Sequence, residues 1–135
     1  MTEDWKRDYR RLSLHEVPAW QRELAEREAA KAAWKCWIAP PAIRWWKNIS
    51  GDGVWTAWVD DDRPWNVINL CTNILDDSES LIATVWEEVK HCQQFRWKSS
   101  FRFEPQRREK DADDFVLNHT GIINKKKLKP WEYKE

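Results

Sequence analysis

The chain has 135 residues, the usual size of a single domain. Its 23 Lys and Arg balance its 23 Asp and Glu. The chain therefore lacks the excess of positive charge that a protein needs to bind nucleic acid through its overall charge. No run approaches the about 18 apolar residues of a membrane helix. The charged N-terminus has no signal-peptide pattern, and the three cysteines are widely spaced, so we expect a reducing, cytoplasmic compartment.

The chain opens with a charge-dense segment, residues 1–15, which is predicted to be loose. A helix is predicted over 16–37, because Pro18 suits a first helical turn and the residues after it are rich in Ala, Glu, Arg and Lys. Strands are predicted next, on residue types that favour pleated sheets, over the segments 43–50, 54–59 and 65–74. The turn residues between them indicate a three-stranded, mainly antiparallel sheet.

Two further helices are predicted after the sheet, at 78–97 and at about 106–118. Acidic residues and Ser78 can cap the first of them, and Gly121 suits the end of the second. The tail, 124–135, is basic and predicted to be solvated. The whole indicates an α+β protein with one domain over 16–123.

Three polar residues lie along one edge of the predicted buried face of the 78–97 helix. At about 100° per residue, Glu87, Glu88 and His91 fall on neighbouring positions. Glu87 and His91 are one helical turn apart, so both can reach the same ion. The simpler interpretation is a solvated helix face with a boundary histidine.

The next predicted helix carries Glu109, which follows His91 after one short connection. Two antiparallel helices joined in this way can bring Glu109 opposite His91. The two segments together therefore favour a site built from two helices.

This pattern resembles the gluzincins, zinc peptidases with HExxH on one helix and a third ligand Glu on the next. The run His91 to Gln94 is similar to the H-x-x-Q continuation of several small members. On the second helix, the residues that match the E-x-x-A-D-x-F-A pattern, with Val in place of the last Ala, are Glu109, Ala112, Asp113, Phe115 and Val116. The resemblance covers about residues 43–118 and implies a small zincin-like domain. Small intracellular members include phage-associated and repressor-cleaving peptidases.

The resemblance also implies roles for individual residues. His91 and Glu109 correspond to metal ligands, and Glu88 to the general base that activates the metal-bound water. Asp113 corresponds to the acid that orients a ligand from behind. His119 resembles the separate histidine that hydrogen-bonds the transition state in several gluzincins, although a simple helix-end histidine is the alternative.

The first histidine of the family motif is absent, because position 87 is Glu and the motif reads EExxH. Zinc accepts carboxylate oxygen, so Glu87, His91 and Glu109 can still form a three-ligand site with an open position. This harder ligand set shifts the preference toward Mn or Fe. Asp113 would face Glu87, and two acids repel unless a proton or a cation lies between them. The site is therefore expected either to hold a cation or to be a metal-free remnant.

The predicted function is that of a metallopeptidase-like hydrolase, with an extended peptide substrate added beside the third strand at 66–72. The alternative is a catalytically inactive zincin descendant that binds a protein partner through a Trp-rich surface. The tryptophans of that predicted surface are Trp45, Trp46, Trp55, Trp58 and Trp65. A nucleic-acid accessory role through the basic tail is a third, less favoured interpretation, and no membrane contact is expected.

Overall fold

The computed structural model describes residues 7–49, 56–97 and 104–123. The predicted turn at 51–53, Trp55 and the tail 124–135 lie outside these residues. The described elements, in chain order, are β1 (Tyr9–Arg11), a 3₁₀ turn (Leu14–Glu16), α1 (Ala19–Cys36), β2 (Ala42–Asn48), β3 (Ala57–Val59), β4 (Val67–Cys71), α2 (Ser78–Trp97) and α3 (Pro105–Thr120). The α+β class is confirmed.

The sheet has four described strands in the order β1-β2-β4-β3. β1 pairs antiparallel with β2, and β3 pairs antiparallel with β4, but the central β2 and β4 are parallel. The prediction of three strands was therefore wrong, and the sheet is mixed. The additional strand, Tyr9–Arg11, comes from the segment that was predicted to be loose. Three residues are too few to show strand periodicity, and alternation carries no information on strand direction.

The core joins one face of the sheet to α2, which contacts β3 and β4, and joins α2 to α1. Trp45 of β2 and Leu70 of β4 are register partners, and both side chains are part of this buried core. The buried side of α1 consists largely of alanines, so α1 and α2 can pack closely. Trp46 points to the opposite face, where its indole donates a hydrogen bond to Asn69 Oδ1 over 2.8 Å. The two adjacent tryptophans thus lie on opposite faces, as strand geometry requires.

The ends of the helices follow their local sequence. Asp77 caps α2 by accepting a hydrogen bond from the backbone N–H of Ser80 over 2.9 Å. Gly121 ends α3 in the left-handed conformation, with φ 74°, as predicted. None of the helices in the described ranges has the length and apolar character needed to cross a membrane.

Glu16 closes the 3₁₀ turn and supplies a pH-dependent contribution to stability. Its carboxylate accepts hydrogen bonds from Ser13 Oγ over 2.8 Å and from Arg10 Nη1 over 2.9 Å. These bonds lower the pKa of Glu16 from 4.5 to about 2. Because the folded pKa is the lower one, the contribution is complete above about pH 4.5 and is lost as the pH falls through about 2.

We therefore expect Glu16→Gln to lower the melting temperature at pH 7 and to have a much smaller effect at pH 2. Thermal melts followed by circular dichroism at both pH values measure this difference. The exposed Glu26→Gln on α1 is the matched control and should change neither melt. An equal effect of Glu16→Gln at both pH values would contradict the prediction.

Candidate metal centre

The candidate centre lies where α2 and α3 pack together. Contacts between the two helices run in antiparallel order, from Gln94 with Arg108 through His91 with Glu109 to Trp86 with His119. This order places the middle of α2 against the first half of α3. It brings together the two segments that were predicted to share a site.

Short contacts join the predicted ligands. His91 Nε2 lies 2.8 Å from Glu109 Oε2 and 3.6 Å from Glu87 Oε1. The four acidic and imidazole side chains at the centre are all buried, with exposed fractions of 1% for Glu87, 1% for Glu88, 4% for His91 and 6% for Glu109. A solvated helix face, the simpler interpretation of these residues, is therefore excluded.

Two overlapping groups have ligand atoms close enough to hold a cation. The first contains Glu87, Glu88 and His91, and the second contains Glu87, Glu109 and Asp113. In each group the ligand atoms lie within 4.8 Å of one another. Asp113 is exposed on α3, whereas the other members are buried. The carboxylate that was predicted to lie beside Glu87 is thus within reach of it.

Gln94 determines which nitrogen of His91 faces the carboxylates. Its amide Nε2 donates to the backbone oxygen of Arg108 over 3.0 Å and to Asp111 Oδ2 over 2.9 Å. Its Oε1 therefore accepts, and the partner at 2.8 Å is His91 Nδ1. The hydrogen of a neutral imidazole is then held on Nδ1, which leaves Nε2 as the ligand atom. The spacing H-x-x-Q was the only sequence signal for this role.

Replacing this glutamine should weaken cation binding. We expect Gln94→Met to reduce metal affinity by about tenfold, because partners that orient a ligand histidine typically contribute about 10–100-fold. Isothermal titration with Mn²⁺ or Zn²⁺ measures the change. Gln93→Met is the matched control, since Gln93 is also buried on α2 but donates to the backbone oxygen of Cys36 over 3.0 Å. Equal affinity losses in both variants would indicate a general loss of packing.

The charges around His91 favour its protonated form in the absence of a cation. Burial by itself would lower the pKa of His91, but the Glu109 carboxylate, with Glu87 and Glu88, outweighs burial and raises the pKa to about 10. Two nearby lysines are directed to other acids: Lys90 Nζ lies 3.9 Å from Asp111, and Lys110 Nζ lies 3.2 Å from Asp114. The imidazolium is thus a counter-ion within a strongly acidic cluster.

His119, the other predicted catalytic residue, lies outside both groups. Its ring stacks on Trp86, with centroids 5.8 Å apart and an interplanar angle of 19°, and it also contacts Phe115. It borders a cleft of about 690 Å³ between α1, α2 and the end of α3, which Trp34 and Ile122 also line. The structure does not place His119 in either group of candidate ligands.

The surface tryptophans match the prediction only in part. Trp65 is exposed, as predicted, but Trp45 is buried. Trp46 and Trp58, which are partly buried, pack against each other on the outer face of the sheet, with centroids 5.7 Å apart. The most exposed indoles in the described ranges belong to Trp34 and Trp37 at the end of α1, with exposed fractions of 81% and 82%. The sequence of this helix did not indicate that the side chains of Trp34 and Trp37 would be exposed.

The predicted substrate position also needs correction. β4 lies between β2 and β3, so both of its edges are occupied and no strand can add beside 66–72. The outer strand on that side of the described sheet is β3, which contacts α2.

Comparisons of this chain with protein-family models, with curated proteins and with solved structures find no match. Its function is therefore argued from the geometry of the centre.

Proposed function

We propose that this chain is a metal-dependent hydrolase with a zincin-like centre, in which Glu87, His91 and Glu109 bind a divalent cation. The observation that carries the proposal is the buried contact of His91 Nε2 with Glu109 and Glu87, at 2.8 and 3.6 Å. The buried carboxylates of Glu87, Glu88 and Glu109 meet the imidazole of His91 where α2 and α3 pack together. Carboxylate oxygen and imidazole nitrogen are ligand types that divalent cations take from proteins.

The donor set fits such a cation. One imidazole nitrogen and two carboxylates leave an open position and suit Zn²⁺, with Mn²⁺ and Fe²⁺ as harder alternatives. When bound, the cation supplies Lewis acidity and lowers the pKa of a coordinated water. Gln94 keeps the imidazole in the ligating tautomer.

Glu88 has the position of a general base in this proposal. A ligand atom of Glu88 lies within 4.8 Å of those of Glu87 and His91, so its carboxylate can accept a proton beside the cation. Burial keeps this carboxylate away from bulk water. His119 does not reach the cluster, and its catalytic role stays a prediction.

The proposed substrate is a peptide or protein in extended conformation. In the part of the sheet that the structure describes, β3 is an outer strand and contacts α2, and an extended peptide can add to such an edge through main-chain hydrogen bonds. We place this activity in the cytoplasm, where free thiols such as those of the described cysteines are stable.

A comparison of two histidine variants tests the proposal. Native mass spectrometry and calorimetry with Zn²⁺ and Mn²⁺, followed by peptide-library cleavage, should show cation binding and cleavage in the wild type. Both should be lost in His91→Ala and retained in the control His15→Ala, which changes an exposed histidine outside the centre. Wild-type protein that binds neither cation, or His91→Ala that binds as well as wild type, would overturn the proposal.

The second candidate is a catalytically inactive protein-binding module. The exposure of Trp34 and Trp37 favours it, because large exposed aromatic side chains are enriched at binding surfaces. In this case the wild type would cleave no peptide with any added cation. The double substitution of these tryptophans by serine would then abolish partner binding while leaving cation binding unchanged.

A further inference from the structure

We infer that the cleft between α1, α2 and the end of α3 binds a small planar aromatic anion, such as an aryl carboxylate. The cleft measures about 690 Å³, within the range of about 300–1,000 Å³ that is usual for small-molecule sites. None of the residues that line it belongs to either group of candidate cation ligands. The inference therefore goes beyond the proposed hydrolase and does not depend on the metal centre.

The lining of the cleft suits a ligand that is mostly apolar. Apolar and aromatic side chains form the larger part of it, among them Trp34 of α1, Ile82 and Trp86 of α2, and His119 and Ile122 at the end of α3. Small-molecule sites typically combine such a surface with a few polar groups that orient the ligand. The larger part of the ligand should therefore be a hydrocarbon or a ring.

Two aromatic side chains from different helices can contact a flat ring in the cleft. His119 stacks on the buried Trp86 and contacts Phe115, yet it is exposed, so part of its ring is open to solvent. Trp34 is 81% exposed, and its indole has no hydrogen-bond or ring partner among the described residues. Aromatic rings pair by stacking or by edge-to-face contact. These two side chains therefore favour a planar aromatic ligand.

The charges in the lining favour a negative group on that ligand. Two lysines, Lys31 and Lys35, and one acid, Glu28, line the cleft. The Glu28 carboxylate already accepts a hydrogen bond from Trp86 Nε1 over 2.8 Å and lies 3.2 Å from Lys31 Nζ and 3.6 Å from Arg27 Nε. Lys35, in contrast, has no ion pair among the described residues. An anionic group on the ligand would pair with Lys35.

Other ligands would use only part of this lining. A neutral ring could contact Trp34 and His119 but would leave Lys35 without a counter-ion. A cationic ring would lie beside Lys35, and Glu28 is already paired with other cations. A non-planar anion could pair with Lys35 but could not stack. A ring and a negative charge in the same small molecule use both features.

Three probes that differ in ring or charge test the inference by calorimetry on the full chain, freed of metal ions. The probes are 2-naphthoate, which is planar and anionic, 2-naphthalenemethanol, which is planar and neutral, and cyclohexanecarboxylate, which is anionic but not planar. We expect 2-naphthoate to bind with one molecule per chain. The neutral probe should bind about threefold more weakly, the scale of an exposed ion pair, and the non-planar anion about tenfold more weakly, the scale of aromatic stacking.

Substitutions locate the binding in this cleft. Trp34→Leu should weaken 2-naphthoate binding by about tenfold. Trp37→Leu is the matched control, because Trp37 is equally exposed at the end of the same helix but does not line this cleft, and it should bind like the wild type. Lys35→Gln should weaken 2-naphthoate binding by about threefold and leave binding of the neutral probe unchanged.

The outcomes are specific to this cleft. No saturable binding of 2-naphthoate, equal affinity for the neutral probe, or a loss in Trp37→Leu as large as that in Trp34→Leu would overturn the inference. Circular dichroism verifies that each variant is folded. Zn²⁺ titration of Trp34→Leu should match that of the wild type, so failure of this inference would leave the proposed hydrolase standing, and failure of the metal centre would leave the cleft standing.

Discussion

Glu88→Gln is expected to abolish hydrolysis while leaving the cation bound. Glutamine keeps the shape of the side chain but cannot accept a proton, and a general base typically contributes about 10²–10⁴-fold to the rate. We therefore expect the cleavage of a peptide that the wild type cleaves to slow by about this factor at saturating Mn²⁺ or Zn²⁺, with the cation still bound. Cleavage assays together with native mass spectrometry measure both quantities.

The same substitution should stabilise the cation-free protein, because it removes one ionised carboxylate that is almost fully buried. The matched control is Glu79→Gln, an exposed glutamate in the first turn of α2, which should leave both cleavage and this melting temperature unchanged. Undiminished cleavage in Glu88→Gln would reject Glu88 as the base. A lower melting temperature in the cation-free state would contradict the electrostatic argument.

Glu87→His is expected to strengthen zinc binding. The new imidazole is a softer ligand than carboxylate, and it can donate its N–H to Asp113, which lies within reach of position 87. We expect zinc affinity to rise by about tenfold, the lower end of the range that partners of ligand histidines typically contribute.

Competition titrations with a zinc indicator measure the affinity. Glu79→His is the control, since it adds a histidine to the exposed start of α2 and should leave the zinc affinity unchanged. Unchanged or weaker zinc binding in Glu87→His would count against the metal centre.

The local sequence determined where the helices begin and end, and which residues of one helix lie one turn apart on its surface. α2 begins at Ser78 and ends at Trp97, as its acidic cap and its composition predicted, and Gly121 ends α3 because it tolerates a positive φ. The sequence also predicted that Glu87 and His91 lie about one helical turn apart on the same side of α2, since this spacing depends only on helical geometry. These features involve residues within one or two turns of each other, so the chain encodes them locally.

Tertiary structure alone decided the rest. The parallel pairing of β2 with β4 and the extra strand β1 depend on contacts between distant segments, which strand alternation cannot specify. The burial of Glu87 and Glu88 depends on what packs over them, and so do the outward positions of Trp34 and Trp37. The helical period placed the two acids only at the edge of a buried face. Only the packing of α3 against α2 brought Glu109 to His91 and Asp113 within reach of Glu87, because these contacts join residues that are distant in the sequence.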